Sequence, residues 1–372
     1  MKILYLSDSI LPSQSANSVH VMKMCESFAS LGHDVVLVGL KGEHIEQNIF
    51  DHYGVKNSFR VKQNRMPRVP GLLFFHAIYS LALYWQWKPD FVFGRSFFSI
   101  YLCSFFCKSF SFETHNPVHT LPRHFKFAFK GIIHSRSMRK LIVISDKLRQ
   151  IIVSECPELL NSKIQVLHDG ASIPPNDSPN RMSLSKGQGL LQIGYVGSIQ
   201  RGRGLDLLLR LAQELPDMDF HIVGGDQSAI IKNLSLAEFP RNVQCYGFVA
   251  PYAANELTRQ FDVVLAPYQT DTSVKSGKNT SGYMSPLKIF EYMAAAKAIV
   301  CSDLPVLREV FNEKNAILVP AAEVSAWKEA ILRLQDPALR NELAHQAYQN
   351  FENNFTWTVR AQKVLRNMNN LG

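Results

Sequence analysis

A glycine-rich loop near the middle of the chain carries two arginines and follows an apolar segment. The apolar segment is Gln192–Val196, and the loop Gly197–Gly204 reads GSIQRGRG before a stretch with helical periodicity. Glycines let backbone amides approach a ligand, a helix N-terminus adds a partial positive charge, and Arg201 and Arg203 supply two full charges. The loop can therefore hold a diphosphate, although its spacing fits neither GxGxxG nor Walker A, which argues against dinucleotide or ATP binding. A solvated turn explains the arginines equally well when the loop is taken alone.

A second anion-binding signal lies in the segment SPLKIFEYM, residues 285–293. Ser285 is a favourable N-cap and Pro286 a favourable first helical residue, so the segment predicts a helix start. The first turn holds Lys288 and no acid, although the helix dipole would favour an acid by about 0.3–1 kcal/mol. A bound phosphate would remove this conflict, and Glu291 could accept hydrogen bonds from two vicinal hydroxyls of a ribose. The alternative is an ordinary surface pair between Lys288 and Glu291.

Length and composition bound the architecture. The 372 residues exceed what one hydrophobic core usually serves, and the fractions of hydrophobic (46%) and charged (19%) residues are typical of globular proteins. Disordered, coiled-coil and collagen-like architectures are thereby excluded as the main class. The six cysteines include no CxxC pair, so neither a zinc site nor a disulfide framework is indicated, and a reducing cytoplasm fits best. The opening apolar run, residues 3–8, is too short for a signal peptide and predicts a buried strand.

Apolar segments alternate with amphipathic ones, a pattern typical of βαβ units around a parallel sheet. The expected strands of the first half are Lys2–Leu6, Asp34–Val38, Asp90–Phe93, Ser109–Glu113, Leu141–Ile144 and Ile164–Leu167. Those of the second half are Leu191–Val196, Phe220–Val223, Val243–Tyr246, Val263–Ala266, Ala298–Cys301 and Ala316–Val319, with helices near Leu205–Glu214, Pro286–Ala296 and Ser325–Leu334.

Residues 171–189 are rich in Pro, Ser, Asn and Gly and predict a linker. We therefore expect an α/β protein with a Rossmann-like domain at 1–170, the linker at 171–189 and a second Rossmann-like domain at 190–354. Two such domains across a hinge form a cleft, and open parallel sheets bind ligands at the carboxyl ends of their strands.

The region 56–149 is strongly basic and aromatic. It holds sixteen Lys and Arg against Asp90, Glu113 and Asp146, a net charge of +13, and 20 of the chain's 40 aromatic residues fall between Tyr53 and Phe129. This mixture favours peripheral contact with an anionic membrane over ordinary buried helix. Val69–Trp87 has no formal charge, but its Pro, Gly and polar residues make it a poor membrane span. Nucleic acid is not the expected partner, because no nucleic-acid-binding motif accompanies the charge.

Motifs over nearly the whole chain resemble the family 4 retaining glycosyltransferases, which have the GT-B fold of two facing Rossmann-like domains with an interdomain cleft and use nucleotide-sugar donors. The matching segments are residues 15–21, 31–35, 93–96, 112–115, 142–145, 166–170, 195–206, 222–225, 285–293 and 299–305. The resemblance also implies that a final helix, about 355–372, packs back on the first domain.

The resemblance implies a donor site for a nucleotide-diphosphate sugar, UDP- or GDP-linked, in the second domain. Glu291 would bind the ribose, and Arg203 would neutralise the diphosphate, with Arg201 as a substitute because Ser198 stands where many members have a second arginine. The first acid of the family's E-x7-E motif falls at Tyr283, so sugar contacts are expected from backbone amides at 282–285. The expected donor-binding residues are Gly197, Ser198, Arg201, Arg203, Gly282, Ser285, Pro286, Leu287, Lys288 and Glu291.

For catalysis the resemblance implies His115, Arg203, Lys288 and Glu291, with His115 positioning and polarising groups near the anomeric carbon rather than attacking it. The expected acceptor-binding residues are Ser15, Asn17, His20 and Arg95. Ala16-Asn17 replaces the glycine pair of many members. Neither a cofactor nor a metal ion is expected.

The expected function is retaining transfer of a sugar to a hydroxyl of a membrane-associated glycan or glycolipid, in cell-envelope polysaccharide or lipopolysaccharide synthesis. The expected location is cytoplasmic, peripheral on the inner face of the cell membrane. Two alternatives stay open: a GT-B enzyme of another type, such as an epimerase or inverting transferase, and a catalytically silent nucleotide-sugar-binding protein. Tyr283 in place of an acid keeps the second alternative open.

Overall fold

A computed structural model of the chain describes residues 1–13, 15–42, 48–65, 71–173, 182–185, 187, 189–234, 238–271 and 279–366, and the backbone of 367–369. The chain divides into two compact units, Met1–Asp169 with Trp357–Gly372, and Gly170–Thr356. Much of the predicted linker, residues 174–181, 186 and 188, lies outside the described residues.

The first unit is built from strands that alternate with helices. The strands are β1 (Lys2–Leu11), β2 (Asp34–Lys41), β3 (Arg60–Asn64), β4 (Phe91–Gly94), β5 (Phe110–Thr114), β6 (Met138–Val143) and β7 (Ile164–Val166). The helices are α1 (Ala16–Ser30), α2 (Ile49–Tyr53), α3 (Leu72–Trp87), α4 (Phe97–Ser104), α5 (Arg123–Ile133) and α6 (Asp146–Glu155), with 3-10 turns at Val118–Thr120 and Asn161–Lys163. The sheet order is β3-β2-β1-β4-β5-β6-β7, and all neighbours are parallel. Helices that cover both faces of such a sheet explain why β4 and β5 are buried throughout.

The second unit repeats this architecture with six strands. The strands are β8 (Gln192–Val196), β9 (Asp219–Val223), β10 (Val243–Cys245), β11 (Val263–Ala266), β12 (Ala298–Ser302) and β13 (Ile317–Val319). The helices are α7 (Leu205–Glu214), α8 (Gln227–Leu234), α9 (Pro251–Gln260), α10 (Leu287–Ala294), α11 (Val324–Arg333) and α12 (Pro337–Asn354). The order is β10-β9-β8-β11-β12-β13, again parallel throughout.

The last helix, α13 (Trp357–Asn369), belongs to the first unit and packs along α1. Trp357, Arg360, Ala361 and Val364 are buried. Their spacing of three and four residues places them on one face of the helix, so this face brings one charged side chain into the core of the first unit.

The structure confirms the predicted fold class of two Rossmann-like parallel sheets and corrects some local boundaries. β3 was not expected, because its charged residues point outward from a half-exposed edge strand and hide the apolar pattern. The helix predicted from Ser285 begins at Leu287, with Pro286 as its N-cap, so the predicted N-cap at Ser285 is wrong by one residue. Pro286 has the extended backbone angles φ −72° and ψ 123°, which place it outside the helix.

Candidate active-site residues

Polar side chains gather at one edge of the sheet in the first unit. Arg95 directly follows β4, Glu113 lies near the end of β5, and Asp169 follows β7. Because the carboxyl ends of parallel strands meet at the same edge of a sheet, these residues lie together, and His20 of α1 joins them.

Glu113 is the centre of this cluster and is only 1% exposed. Its Oε1 accepts a hydrogen bond from His115 Nε2 at 2.6 Å and lies 3.1 Å from His20 Nε2. Its Oε2 accepts a hydrogen bond from Arg360 Nη1 at 3.1 Å, and Arg95 Nε lies 3.9 Å from Oε1. One buried carboxylate therefore holds two histidines and two arginines.

The charges of the cluster set the protonation states of Glu113 and His115. Burial by itself raises the pKa of Glu113, but the charges of Arg360 and His20 and the hydrogen bonds from both histidines outweigh it and hold this pKa well below its usual range. Burial, helped by the charge of Arg95, lowers the pKa of His115 to about 4. At neutral pH His115 is therefore neutral, donates its Nε2 proton to Glu113 and carries its lone pair on Nδ1.

His20 is held between two acids. Its Nδ1 lies 2.8 Å from Asp169 Oδ1, and its ring packs edge-on against Trp357 and His115 at centroid distances of 5.0 and 5.4 Å. Burial would raise the pKa of Asp169, but the contact with His20 and the charge of Arg360 help to lower it below its usual value. Asp169 is therefore ionised at neutral pH.

His20, Glu113 and His115 place one ligand atom each within 4.8 Å of one another, a spacing that a metal ion could use. Both oxygens of Glu113 already face guanidinium groups, from Arg360 and Arg95. These charges neutralise the carboxylate and weaken its attraction for a further cation.

The other expected acceptor residues have different partners. Ser15 caps α1 by accepting a hydrogen bond from Ser18 N, and Asn17 donates to Ser9 Oγ at 2.8 Å. Arg95 keeps 15% of its side chain exposed, and its buried Nη1 has no hydrogen-bond partner among the described residues. The structure thus brings His20, Arg95 and His115 together at Glu113. The contacts given above for Ser15 and Asn17 are with Ser18 and Ser9, not with Glu113.

Sequence reasoning missed Arg360, whose guanidinium donates to Glu113 and to the carbonyl oxygens of His168 and Leu167. The sequence did contain a signal for this role, because Arg360 follows Trp357 by three residues and so lies on the apolar face of α13. An arginine on the buried face of a helix indicates a buried acid that pairs with it.

In the second unit the glycine-rich loop connects β8 to α7, as the sequence predicted. Tyr195 Oη donates to the carbonyl oxygen of Ser198 at 2.8 Å and fixes the first turn, where Gly197 is half-buried and Ser198 exposed. Gly204 has φ +76°, and a Cβ on it would lie 2.1 Å from Pro267 O, so only glycine fits.

The two arginines of this loop have different surroundings. The guanidinium of Arg203 lies 5.4 Å from the centre of the Tyr268 ring, and its Nε is buried without a hydrogen-bond partner among the described residues. The Arg201 side chain is 85% exposed and lies 3.5 Å from Asp271 Oδ2. Arg203 therefore has the unsatisfied donor that a ligand could use, whereas Arg201 faces solvent.

Helix α10 is fixed against the end of β8. Tyr292 Oη accepts a hydrogen bond from Val196 N at 2.8 Å and donates to Val196 O at 3.2 Å. Near the start of the helix Lys288 Nζ donates to Glu291 Oε2 at 2.9 Å, with 33% and 22% of the two side chains exposed. The Lys288–Glu291 pair, which the sequence offered as the alternative to anion binding, is thus present in this structure. It lies at the same edge of the second sheet as the glycine-rich loop.

Tyr268 connects the loop and the helix electrostatically. Burial raises the pKa of Tyr268 to about 12, the charge of Arg203 opposes this shift, and Glu291 adds to it. The structure therefore brings Arg203 and the Lys288–Glu291 pair around one buried tyrosine that follows β11. Sequence reasoning missed Tyr268, although an aromatic residue two positions after an apolar strand was a signal.

The segment before α10 contains the remaining expected donor residues. Tyr283, at the position of the missing acid, and Ser285 are buried, Gly282 is exposed, and Pro286 and Leu287 are half-buried. A Cβ on Gly282 would meet nothing within 4 Å. Gly282 thus offers accessible backbone next to Tyr283, the buried residue at the position where the family motif has its first acid.

An exposed aromatic surface covers α3, α4 and α5 of the first unit. We call Trp85, Tyr101, Phe105, Phe106 and Phe127 the aromatic surface. Ring contacts connect its members: Trp85 with Phe106 at 5.4 Å, and Tyr101 with Phe105 at 5.1 Å and with Phe127 at 5.7 Å. All except Tyr101 are 49–67% exposed. None of the described helices is long and apolar enough to cross a membrane.

Comparison with known proteins finds a family match within the second unit. Residues 191–336 match the family described as glycosyl transferases group 1. Over 160 residues the chain is 29% identical to alpha-galactosylglucosyldiacylglycerol synthase of Streptococcus pneumoniae, covering 41% of this chain and 38% of that one. Over 251 residues it is 25% identical to phosphatidyl-myo-inositol mannosyltransferase of Mycobacterium tuberculosis, covering 64% and 62%. The matches thus span less than two thirds of these relatives.

Solved structures with the same fold cover the whole chain. HepE of Anabaena in complex with UDP has a TM-score of 0.72 with 15% identity over 100% of both chains. The chain therefore has the GT-B fold, and its residues 191–336 match the glycosyl transferases group 1 family. The resemblance to family 4 glycosyltransferases is confirmed at this level.

Proposed function

We propose that this protein is a retaining glycosyltransferase that moves a sugar from a nucleotide-diphosphate sugar to a hydroxyl of a membrane-associated glycan or glycolipid. One observation carries the proposal: the buried, unsatisfied Nε of Arg203 lies at the same sheet edge as the Lys288–Glu291 pair. A diphosphate would satisfy the first group, and a ribose would use the second.

The donor site follows from charge and position. Arg203 would donate to the diphosphate, and Lys288 would turn from Glu291 toward a phosphate. The amide of Gly197 already donates to Val223 O, so the exposed Ser198 would supply the backbone donor at this turn. Glu291 would then be free to accept hydrogen bonds from two ribose hydroxyls. The Lys288–Glu291 contact is weak and partly exposed, so exchanging it for ligand contacts costs little.

The names of the relatives support the substrate classes. The Streptococcus and Mycobacterium relatives are named for glycolipid products or acceptors, and HepE was crystallised with UDP. These names favour a nucleotide diphosphate as the leaving group and a lipid-linked acceptor for this chain.

In the proposed reaction the bond between the anomeric carbon and the diphosphate breaks, and the acceptor oxygen bonds to that carbon on the same face. The bonding electrons leave with the diphosphate, whose oxygen takes the acceptor proton. Arg203, Lys288 and the start of α10 would stabilise the negative charge that develops on the leaving group. His115, which is neutral and has its Nδ1 lone pair available, would position and polarise the reacting groups.

A transfer assay with UDP, GDP and ADP sugars and short-chain glycolipid acceptors, followed by NMR of the product, tests this function. We expect one nucleotide sugar to react with its anomeric configuration kept. Arg203→Ala should abolish transfer, while Arg333→Ala, an exposed arginine at the end of α11, should not. A product with the opposite anomeric configuration would show that the protein is an inverting transferase instead. Turnover by Arg203→Ala at the wild-type rate would overturn the proposed site.

A second candidate, a catalytically silent nucleotide-sugar-binding protein, is favoured by one observation. The buried Tyr283 occupies the position of the acid expected to contact the sugar. A nucleotide sugar that raises the melting temperature without being consumed, across the acceptors above, would favour this candidate.

We further propose that the aromatic surface docks on the inner face of an anionic membrane. Helices α3, α4 and α5 contain no Asp or Glu, and Lys108, Arg123, Lys126 and Lys130 are exposed on or beside them. Exposed rings beside cations suit the interface of an anionic bilayer, where each cation near the surface contributes about 1 kcal/mol. This placement would bring the first unit to a lipid-linked acceptor.

Vesicle co-sedimentation tests the docking. The wild-type protein should bind vesicles of phosphatidylcholine with phosphatidylglycerol at low salt, and bind vesicles of phosphatidylcholine alone less. The double variant Phe105→Ser/Phe127→Ser should lose binding, whereas Phe248→Ser, which changes an equally exposed phenylalanine of the second unit, should keep it. Equal binding by both variants would exclude the aromatic surface as the docking site.

A further inference from the structure

Four side chains of the first unit form a continuous chain from a buried acid to the histidine expected at the reaction centre. Asp169 Oδ1 lies 2.8 Å from His20 Nδ1, His20 Nε2 lies 3.1 Å from Glu113 Oε1, and the same Oε1 lies 2.6 Å from His115 Nε2. His20 and Glu113 are each 1% exposed, and Asp169 is 6% exposed. The chain ends at His115, which keeps 18% of its side chain exposed.

The positions of the protons follow from the partners. Both ring nitrogens of His20 face carboxylate oxygens, Nδ1 at 2.8 Å from Asp169 and Nε2 at 3.1 Å from Glu113, so the ring lies between the two acids. Glu113 also faces the guanidinium groups of Arg360 and Arg95, which keep its carboxylate ionised. An ionised Glu113 can only accept, so His115 must donate from Nε2.

We propose that His20 is a positioning residue. It lies between Asp169 and Glu113 and holds the Glu113 carboxylate in the place where that carboxylate accepts the Nε2 proton of His115, which leaves the lone pair of His115 on Nδ1. His115 thereby meets its ligand with a hydrogen-bond acceptor rather than a donor. A hydroxyl of the transferred sugar is the group that would donate to this nitrogen, because the proton of the acceptor hydroxyl goes to the departing diphosphate. This role rests on the proposed transferase function, but the tautomer itself does not.

The geometry separates this role from a purely structural one. Arg360 alone already satisfies Glu113 Oε2 and donates to two backbone carbonyls, so the buried ion pair does not require His20. His20 contacts the other oxygen, Oε1, which is also the oxygen that binds His115. Loss of His20 should therefore disturb His115 more than it disturbs the fold.

Nitrogen NMR of protein labelled at histidine rings reads the tautomer of His115 directly, without any substrate. The His115 signals are identified by their absence in His115→Gln. In the wild-type protein we expect a protonated-type shift at Nε2 and an unprotonated-type shift at Nδ1. The opposite tautomer, or a doubly protonated ring at neutral pH, would overturn the proposal.

Two substitutions of His20 separate its two contacts. In His20→Asn the side-chain amide can replace Nδ1 toward Asp169 but cannot reach Glu113, and in His20→Gln the amide can reach Glu113. We expect a mixed tautomer in His20→Asn and a largely preserved one in His20→Gln. If both variants melt as the wild type does and keep its tautomer, His20 does not position His115.

Kinetics provide the second readout. We expect kcat of His20→Asn to fall roughly 10²-fold, the usual cost of a misplaced reacting group, with the KM for the nucleotide sugar within about twofold of wild type. His345→Asn, an exposed histidine on α12, should change neither value. If the NMR result holds but no nucleotide sugar reacts, the proposed transferase function fails while the His20 network stands. If transfer occurs and His20→Asn keeps the wild-type kcat, only the network's role fails.

Discussion

The polar clusters of the two units differ in how deeply their ion pairs are buried. In the first unit Glu113, Asp169 and Arg360 are buried and each has partners within the unit. In the second unit Arg203 keeps an unsatisfied buried Nε, and Lys288 and Glu291 are partly exposed. Breaking the buried ion pairs of the first unit is costly, although Arg95 Nη1 there also lacks a partner among the described residues. Arg203 Nε, by contrast, is an open donor at the same sheet edge as a partly exposed ion pair. On this contrast we propose that the first cluster positions a reacting group and that the second binds the anion.

Breaking the first cluster should produce the largest change in stability. Glu113→Ala leaves Arg360 buried without its carboxylate, so the free energy of unfolding should fall by about 3–5 kcal/mol. Glu291→Ala, the matched change in the second unit, should cost about 1 kcal/mol or less. Urea denaturation followed by circular dichroism measures both, and equal losses would contradict the comparison.

Breaking the second cluster should instead change binding. Arg203→Ala removes a charged donor to the diphosphate and should weaken nucleotide binding by about 2–3 kcal/mol, with little change in melting temperature. Isothermal titration calorimetry measures this loss, and Arg333→Ala is the control. An unchanged affinity for the nucleotide would show that the Nε of Arg203 does not contact it.

Acidification should affect stability through buried histidines in both units. Burial lowers the pKa values of His115, His168 and His221 to about 4. The unfolded chain binds protons on these rings near pH 6.5, whereas the folded chain binds them only near pH 4. The free energy of unfolding should therefore fall as the pH is lowered from 7 toward 4, by on the order of 1 kcal/mol per histidine.

Urea titrations at pH 7, 6 and 5 check this slope. His115→Gln and His221→Gln should each flatten it, and only the first should also reduce transfer. Stability that rises on acidification over this range would contradict the assignment of neutral, buried rings.

The smallest expected effect belongs to the exposed pair. Lys288→Gln should change the free energy of unfolding by less than about 1 kcal/mol, because partly exposed ion pairs contribute little. Nucleotide affinity should nevertheless fall by about tenfold, since the cation would lie against a phosphate. Thermal melting with and without the nucleotide measures both, and a large loss of stability with normal affinity would reverse the interpretation.

Periodicity and turn chemistry predicted most of the architecture. Buried parallel strands appear as short apolar runs, so all six strands expected in the first half are present, with ends that differ from the expected ones by at most five residues. The helix Leu205–Glu214 was predicted at its observed bounds. The edge strand β3 was missed because its outward residues are charged. Tertiary hydrogen bonding, which extends β1 to Leu11 beside β2, is not encoded in a local pattern.

The site residues were predictable where local sequence carries the chemistry. Arg203, Lys288 and Glu291 stand in motifs with their own helix and glycine signals. Arg360 and Tyr268 could not be placed in the same way, because their roles depend on segments distant in sequence. Arg360, for example, meets Glu113 across 247 positions of the chain.

The measurement that tests the account most directly is the dissociation constant of UDP and GDP for three proteins: wild type, Arg203→Ala and His20→Asn. The account predicts that one nucleotide binds the wild-type protein, that Arg203→Ala weakens it by about 2–3 kcal/mol, and that His20→Asn leaves it unchanged. A wild-type protein that binds neither nucleotide, or an equal loss in both variants, would contradict the division of labour between the two clusters.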